Sequence, residues 1–334
     1  MKKSYELDMC NGPILGKILV FAIPLMISGI LQLLFNAADI IVVGRFTGSQ
    51  ALAAVGSTSA LINLIINLFI GVSVGANVVV ARNYGAKDYD GIHGAVHTSV
   101  LTAIWGGIIL IFVGILLARP MLEMMGTPED VIDLSVLYMR IYFVGMPAFM
   151  MYNFGAAILR AIGDTKRPLY FLTLSGVVNV VLNLFFVIVF HMGVAGVALA
   201  TIISQAISAF LIVLCLMKMD GPCHLDFKHL KFHPEQLKSM LRIGLPAGLQ
   251  GAIFSISNVL IQSSVNSFGS QVMAGNTAAG NIEGFVYNSM NAVYQTSLSF
   301  TSQNMGAKKF DRVNKILFQC LLVVTAIGLL MGGG

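Results

Sequence analysis

Long apolar runs recur along the whole chain and restrict what it can fold into. A helix needs roughly 20 apolar residues to cross the hydrocarbon core of a bilayer. Charged residues make up only 10% of the chain, against about a quarter in soluble domains. We therefore predict an all-α, polytopic membrane protein. The predicted spans are residues 18–44, 52–81, 93–118, 134–158, 168–190, 193–217, 243–266, 272–303 and 313–331.

Lysine and arginine fall almost entirely on one side of these spans. With the N-terminus placed in the cytoplasm, only Arg45 and Arg119 lie in outer loops, and Arg140 lies near the outer end of the fourth span. The other basic residues precede the first span or lie at the connections after every second span. Because cytoplasmic loops are enriched in Lys and Arg, we predict a multi-pass protein of the inner or plasma membrane with a cytoplasmic N-terminus. The net charge of +5 reflects these loops and does not indicate nucleic acid.

The chain also contains a weak internal repeat. GSQ occurs at 48–50 and 269–271, and N-x-GAK occurs at the same spacing, at 83–87 and 304–308. Six predicted spans separate the copies, so both halves enter the membrane in the same direction. We predict two parallel lobes arranged as an inverted V, the second of them incomplete with about three helices. The predicted divisions are an N-terminal six-helix lobe at 1–217, a cytoplasmic linker at 218–242 and a partial second lobe at 243–334.

Two acidic residues lie inside the predicted spans. An unpaired charge at the centre of a membrane helix costs roughly 2.5–3.5 kcal/mol on insertion scales. Asp39 lies in the first span, within FNAADIIVVGRF, and Glu283 lies in the eighth. Arg45 is six residues from Asp39, so it projects from another helix face. We therefore expect Asp39 to find its partners on other spans and to have a functional role.

Candidate partners for Asp39 occur in the fifth and sixth spans. Asn179 and Asn183 are four residues apart and share a helix face, as do Thr201 and Gln205. Oxygen ligands of this kind suit a small hard cation. They would equally hold a protonated carboxyl group by hydrogen bonds, and Asn and Thr also tie membrane helices together without any ion. Spacing alone leaves these three readings open.

The eighth span is polar on several faces, which is typical of a helix beside a water-filled cavity. Glu283 would face that cavity and attract cationic substrate or take part in proton exchange, unless it is a structural acid paired elsewhere. Pro24, Pro147 and Pro246 are candidate bends for a rocking motion. The predicted substrate cavity is lined by Gln32, Asn36, Asn63, Gln205, Asn258, Gln262, Glu283 and Tyr287.

Motifs for other kinds of site fail on their context. The G-x-S-x-G sequence at 71–75 lies inside a helix with no preceding strand, so we interpret it as a small-residue helix contact and not as a nucleophile elbow. His93 and His97 share a helix face, but no suitably placed carboxylate joins them, so we predict no metal site. No P-loop is present, which argues against direct use of ATP. We expect neither an enzyme nor a cofactor other than a coupling ion.

Several of these segments resemble the multidrug and toxic compound extrusion (MATE) family of efflux transporters. The resemblance rests on FNAADIIVVGRFTGSQALAAVG (35–56), ILRAIGDTKRP (158–168), NVVLNLFFVIVFHMGVAGVALATIISQ (179–205) and the repeated N-x-GAK. It implies twelve helices in two lobes of six, and the exchange of Na⁺ or H⁺ for amphipathic, usually cationic, compounds. Only nine helices are expected here, because spans ten to twelve are missing from the sequence.

The resemblance also assigns site residues. In one prokaryotic branch of the family, the coupling site consists of residues that match Asp39, Asn179, Asn183 and Thr201, so these four are implied to bind the coupling ion. The position that matches Asn183 is often occupied by Asp in that branch, so this chain carries one negative charge fewer at the implied site. Some relatives carry an acid in the seventh span, but GLQGAIFSISNVLIQ has none. Coupling is thus expected in the N-terminal lobe.

We therefore predict a monomeric secondary antiporter that exports amphipathic or cationic drugs or toxic compounds in exchange for Na⁺ or H⁺. A lipid-linked oligosaccharide flippase of the same superfamily is one alternative. It would need several basic residues in its cavity, and only Arg140 lies near a span. A truncated membrane remnant that does not transport is the other alternative, and the missing spans favour it.

Overall fold

The computed structural model describes residues 5–266 and 270–332, and most of them are helical. Within these residues the helices are α1 (Ile14–Phe46), α2 (Ser49–Ala86), α3 (Tyr89–Met124), α4 (Glu129–Val144), α5 (Met146–Ala161), α6 (Lys166–Leu184), α7 (Gly193–Met217), α8 (Pro234–Asn266), α9 (Ser270–Gly306) and α10 (Phe310–Gly332). A π-helical turn (Phe185–Val189) extends α6, and a short 3₁₀ turn (Phe227–His229) precedes α8. The predicted all-α class is confirmed.

The apolar helices agree with a membrane protein. Among the described residues, α1, α2, α3, α7, α10 and α6 with its π-helical turn are each long and apolar enough to cross a bilayer. α4 and α5 together form a further span that bends by 48°. α8 and α9, with 33 and 37 residues, are also long, but their many Ser, Asn, Gln and Gly residues make them less apolar. Their assignment as spans therefore rests on the repeat, which pairs α8 with α1 and α9 with α2.

The bend in the fourth span lies at Pro147, where the sequence predicted a bend. α4 ends at Val144 and α5 begins at Met146, so that Gly145 separates them and Pro147 lies in the first turn of α5. Proline has no backbone N–H and its ring clashes with the preceding turn, so it fits most easily in the first turn of a helix. The predicted span at 134–158 therefore consists of two shorter helices, in agreement with the break predicted at Pro147.

We call the end of the bundle where α1 begins the amino-terminal face. The α2–α3, α5–α6 and α9–α10 connections lie there, and the α1–α2 connection lies at the opposite face. The GDTKRP motif forms the α5–α6 connection on the amino-terminal face. Gly163 has a φ of +95°, a conformation that favours glycine. Asp164 is fully buried, accepts hydrogen bonds from the backbone N–H groups of Lys166 and Arg167 at 3.1 Å, and pairs with the Arg167 guanidinium.

The internal repeat appears as reciprocal contacts between the two halves of the chain. α2 crosses α9 at the two N-x-GAK motifs. A Cβ atom on Gly85 would lie 1.9 Å from the carbonyl oxygen of Gln303, and one on Gly306 would lie 1.9 Å from that of Arg82. Arg82 and Gln303 occupy the same position in the repeat, three residues before the glycine. Each glycine thus makes room for the backbone of the other helix, and the two contacts are related by an approximate two-fold axis.

A second crossing joins α2 to α8 through small residues. A Cβ on Gly71 would lie 2.2 Å from the backbone nitrogen of Gly248, and one on Gly75 would lie 2.2 Å from the carbonyl oxygen of Met240. Only glycine allows helix backbones to approach so closely. The interpretation of G-x-S-x-G as a helix contact is therefore confirmed.

The hydrophobic core is divided into two clusters that share α1. Val42 and Val43, near the end of α1, belong to the larger cluster with residues of α2 to α7. Ile18 and Phe21, near its start, belong to the smaller cluster with residues of α9 and α10. Met240 of α8, the repeat equivalent of Ile18, lies in the larger cluster. Each half therefore packs the beginning of its first helix against the other half. The lobe boundaries at 1–217, 218–242 and 243–334 stay a prediction.

Two neighbouring glycines of α8 allow a matched test of this crossing. Gly248→Ala is expected to destabilise the protein by about 1–3 kcal/mol, because overpacking forces a backbone shift and the new Cβ would lie 2.5 Å from the carbonyl oxygen of Leu68. Gly251→Ala would meet only the Asn67 side chain, at 3.5 Å or more, and should gain about 0.5–1 kcal/mol from helix propensity. Thermal unfolding in detergent compares them, and equal effects of the two variants would contradict the packing described.

Candidate functional site

Three helices of the first half bring the implied coupling residues together. Asn183 of α6 donates a hydrogen bond from Nδ2 to Oδ1 of Asp39 on α1. The same Nδ2 lies 3.4 Å from Oδ1 of Asn179, one turn earlier, and Nδ2 of Asn179 lies 3.4 Å from Oγ1 of Thr201 on α7. The carboxylate and its three expected partners therefore form one connected polar network, which we call the Asp39 network.

The Asp39 network offers oxygens that have no donor. Asn183 is fully buried and Asn179 is 6% exposed, whereas Asp39 and Thr201 are half-buried. Oδ1 of Asn183 is buried without a hydrogen-bond partner, and leaving such an acceptor unsatisfied costs about 1–3 kcal/mol. Thr201 donates its own hydroxyl to the carbonyl oxygen of Val197 at 3.0 Å, so its oxygen also presents lone pairs. A small hard cation uses oxygens of this kind as ligands.

The backbone after Asn183 departs from α-helical geometry. α6 ends at Leu184 and continues as the π-helical turn Phe185–Val189. Single π-helical turns inside α-helices occur frequently at functional sites because they change the direction of the following side chains. This turn was not predicted from the sequence, because no Gly or Pro within 185–189 marks it.

A small cavity adjoins the Asp39 network through Thr201. Its volume is about 10 Å³, enough for about one water molecule, and it is lined by Tyr142, Gly145, Met146, Phe149, Thr201, Ile202 and Gln205. Gln205, predicted as a cavity residue, lies here one turn from Thr201. Tyr142 and Gly145 were not predicted from the sequence as cavity residues. The helix break that Pro147 indicates could have identified them, since both lie next to it.

A larger cavity of about 310 Å³ lies at the opposite face of the first half. The residues that line it are Phe46, Thr47, Gln50, Ala51, Leu134, Val187, His191, Gly193 and Val194. Val187 lies one helical turn beyond Asn183, so this cavity lies on the side of the Asp39 network that is away from the amino-terminal face. None of these residues was predicted from the sequence, because they come from three stretches that are far apart in the chain: the α1–α2 connection, α4, and the segment between α6 and α7.

The other predicted cavity residues lie on helices that meet between the two halves. Gln32, Asn36, Asn63, Asn258, Glu283 and Tyr287 are all exposed. α1 meets α9 where a Cβ on Gly29 would lie 3.0 Å from Oδ1 of Asn288, and α2 meets α8 through a 3.0 Å hydrogen bond from Asn67 to Ser255.

These exposed residues do not form one cluster with Asp39. The ring of Tyr287 stacks on that of Phe254, with centroids 6.1 Å apart and planes at 11°. Glu283 makes no ion pair within the part of the chain that the structure describes. The side chain of Gln262 lies outside the described residues.

His97, one of the two histidines considered for metal binding, has a structural role. His97 is fully buried, with Nδ1 2.8 Å from the carbonyl oxygen of His93 and Nε2 3.2 Å from that of Asp226. This ring holds the segment before α8 against α3. Across residues 5–266 and 270–332, no group of three His, Cys, Asp or Glu side chains is placed to hold a metal ion.

Comparison with known proteins identifies the family. The family model described as MatE matches residues 24–185 and 246–332. This chain belongs to the MATE family. The two matched segments begin at Pro24 and Pro246, the equivalent prolines of the internal repeat, so each half of the chain matches the MATE model separately.

Individual MATE relatives are similar over most of the chain. The probable multidrug resistance protein YoeA of Bacillus subtilis (strain 168) is 31% identical over 305 residues, which are 89% of this chain and 66% of YoeA. The multidrug export protein MepA of Staphylococcus aureus (strain NCTC 8325 / PS 47) is 23% identical over 264 residues, which are 79% of this chain and 58% of MepA. The chain thus spans two thirds or less of the length of these relatives.

A solved structure shows the same fold. It is described as the outward-facing conformation of a multidrug resistance MATE family transporter of the MOP superfamily. It has a TM-score of 0.91 and 26% identity, and the match covers 98% of this chain and 73% of that one. The expected MATE architecture is therefore confirmed.

Replacing Asn183 by Asp tests whether the Asp39 network accommodates a cation. Asn183→Asp places a second carboxylate in contact with Asp39, and the two repel each other unless a cation or proton lies between them. The variant should therefore gain thermal stability with Na⁺ at neutral pH, by about 2.7 kcal/mol at 100 times the dissociation constant, and should gain less with choline. A response that is equal for both salts would contradict a cation site.

Proposed function

We propose that this MATE-family chain works as a secondary antiporter that exports amphipathic or cationic compounds in exchange for Na⁺ or H⁺. The observation that carries the proposal is the Asp39 network, in which a carboxylate inside an apolar helix meets two buried Asn side chains and a Thr. YoeA and MepA are multidrug proteins by name, which supports export of small organic molecules. No bound nucleotide is required in this scheme, and the chain acts as a transporter and not as an enzyme.

The ion would act by changing the charge of the Asp39 network. A bound Na⁺ or proton neutralises the carboxylate, and a neutral site tolerates a drier environment than a charged one. α1 carries Asp39 in its second part, whereas its first part packs on α9 and α10. A change in charge at Asp39 thus acts on a helix that belongs to both cores, and this connects ion binding to the contact between the two halves.

The proposed orientation places the amino-terminal face in the cytoplasm and the chain in the inner or plasma membrane. Lys87, Lys166, Arg167 and Lys309 lie at the connections of that face. At the opposite face, Arg119 donates a hydrogen bond to the Asp133 carboxylate at 2.8 Å, so the positive charge of Arg119 is balanced by an acidic neighbour. The excess of cationic side chains on one side is the pattern expected for the cytoplasm.

The proposed substrate route runs between the two halves. The exposed polar residues of α1, α2, α8 and α9 would line it, and Gln205 would extend it toward the Asp39 network. Asp39 and Glu283 give this region a negative charge, which attracts cations. The stacked rings of Phe254 and Tyr287 offer an apolar surface for the planar part of an amphipathic compound.

Asp39→Asn tests the proposed coupling. Asn keeps the shape and the hydrogen-bonding capacity of the side chain but carries no charge and binds no proton. Export of a fluorescent organic cation from proteoliposomes, driven by a Na⁺ gradient or by a pH gradient in separate runs, should fall by about tenfold or more, equivalent to at least 1.4 kcal/mol. The matched control is Asp130→Asn, which removes an exposed carboxylate in the first turn of α4 and should leave export unchanged. Full ion-dependent export by Asp39→Asn would show that the coupling group lies elsewhere.

A further inference from the structure

The segment before α1, residues 5–13, lies across the amino-terminal face and touches both halves of the chain. We call it the strap. On the first half, the Tyr84 hydroxyl donates to the Glu6 carboxylate at 3.0 Å, and the Arg167 guanidinium lies 5.3 Å from the ring centroid of Tyr5. The backbone of Leu7 passes so close to Gly163 that a Cβ there would lie 2.5 Å from the Leu7 nitrogen.

The strap is held more firmly by the second half. Met9 is fully buried in the smaller core, together with residues of α9 and α10. Three side chains from the end of α9, the α9–α10 connection and the start of α10 donate hydrogen bonds to the oxygens of the strap. They are Asn304 to the Met9 carbonyl (3.1 Å), Lys309 to the Cys10 carbonyl (3.0 Å) and the Asn11 side chain (2.6 Å), and Arg312 to the Gly12 carbonyl (3.1 Å).

The two halves are closed against each other beneath the strap. Ser299 of α9 donates to Oδ1 of Asn77 on α2 at 3.1 Å, and Gln303 donates to the carbonyl oxygen of Ala161 at the end of α5 at 2.6 Å. Ser299 and Asn77 are fully buried. The strap therefore crosses the boundary between the halves at the place where they are in direct contact, which we call the seam.

The length of the strap makes its two attachments incompatible with an open seam. The backbone of Leu7 contacts Gly163 of the first half, its side chain packs against the smaller core, and Met9, only two residues further on, is buried in that core. Two extended residues reach at most about 7 Å, and the chain already spans that gap in the closed state. When the halves separate at this face, the strap must leave one of them. Its contacts with the first half involve the partly exposed side chains of Tyr5 and Glu6, whereas Met9 is buried in the second half.

We propose that the strap is a latch that holds the amino-terminal face closed, and that this face opens when the strap leaves Tyr84, Gly163 and Arg167 while it stays bound to α9 and α10. The latch would set the balance between the state closed at this face and the state open at it. This proposal rests on the alternation of the two halves in the proposed antiport, but not on the identity of the ion or the substrate.

Hydrogen–deuterium exchange of the full chain in detergent tests the latch. Tyr84→Phe removes one hydrogen bond on the first half, and its matched control is Tyr89→Phe, which alters an exposed ring (62%) nearby. Lys309→Gln removes two hydrogen bonds on the second half, and its control is Lys308→Gln, which removes the same charge from an exposed neighbour. Loss of one hydrogen bond should raise exchange about fivefold where protection depends on the closed state. The rise is expected in the strap and also in the seam, at residues 157–163 and 299–306, for Tyr84→Phe and Lys309→Gln only.

The alkylation rate of the Cys10 thiol is a second measurement. It changes in opposite directions depending on whether the strap stays docked or is released. Burial raises the pKa of the Cys10 thiol, and the nearby Lys309 ammonium lowers it. If the strap stays docked in Lys309→Gln, loss of that charge leaves less thiolate and slows alkylation by N-ethylmaleimide. If the strap is released, Cys10 loses its burial and alkylation accelerates. Mass spectrometry of the peptide that contains Cys10 separates the two outcomes.

The proposal is supported if exchange rises in both the strap and the seam for Tyr84→Phe and Lys309→Gln and if Cys10 of Lys309→Gln reacts faster; slower alkylation of Cys10 in Lys309→Gln with no rise of exchange in the seam would overturn it. It is overturned if exchange rises in the strap alone, because the strap is then a passive attachment, or if the variants behave like their controls. Because hydrogen–deuterium exchange reports opening whether or not the chain transports, a failed latch is distinguishable from a failed antiporter.

Discussion

A carboxylate inside an apolar helix must find polar partners, and the position of α1 follows from that requirement. Asp39 meets Asn183 of α6, and the polar contacts continue through Asn179 to Thr201 on α7. These contacts hold the second part of α1 against the first half of the chain. The first part of α1 has no such residues and packs by its apolar side chains on α9 and α10. One helix is therefore divided between two cores, with Pro24 lying between its two parts.

Much of this arrangement could be predicted from the sequence, because hydrophobic length and residue spacing are local properties. The apolar runs predicted the helices, and the four-residue spacings within 179–183 and 201–205 predicted which faces meet. The N-x-GAK repeat predicted two related halves, and the reciprocal contacts of Gly85 and Gly306 agree with that prediction. The partners of Asp39 could be predicted because few polar residues lie in the fifth and sixth spans.

Other features depend on tertiary packing and leave no local signal. The π-helical turn after Asn183 has no Gly or Pro to mark it, and its backbone is determined by the helices around it. Tyr142 and Thr201 line the same small cavity, next to the 48° bend between α4 and α5. The exchange of Ile18 and Met240 between the two cores involves ordinary apolar residues, which any core would accept. The strap was missed for the same reason, since most of its hydrogen bonds to the second half use backbone oxygens, which every sequence supplies.

The α2–α8 and α1–α9 crossings between the halves are equivalent in the repeat, but the residues at the two contacts differ in chemistry. α2 and α8 meet through Gly71, Gly75, Gly244 and Gly248, so that backbone lies on backbone. The equivalent positions of α9 and α1 are Ala292, Thr296, Ala22 and Met26, and there the helices meet through side chains, with Phe21 and Phe300 in edge-to-face contact at 5.6 Å. A backbone contact has little freedom to slide, whereas side chains can change rotamer and adapt. The α2–α8 crossing is therefore the stiffer of the two. A relative movement of the halves is then accommodated at the α1–α9 crossing, on the helix that carries both Pro24 and Asp39.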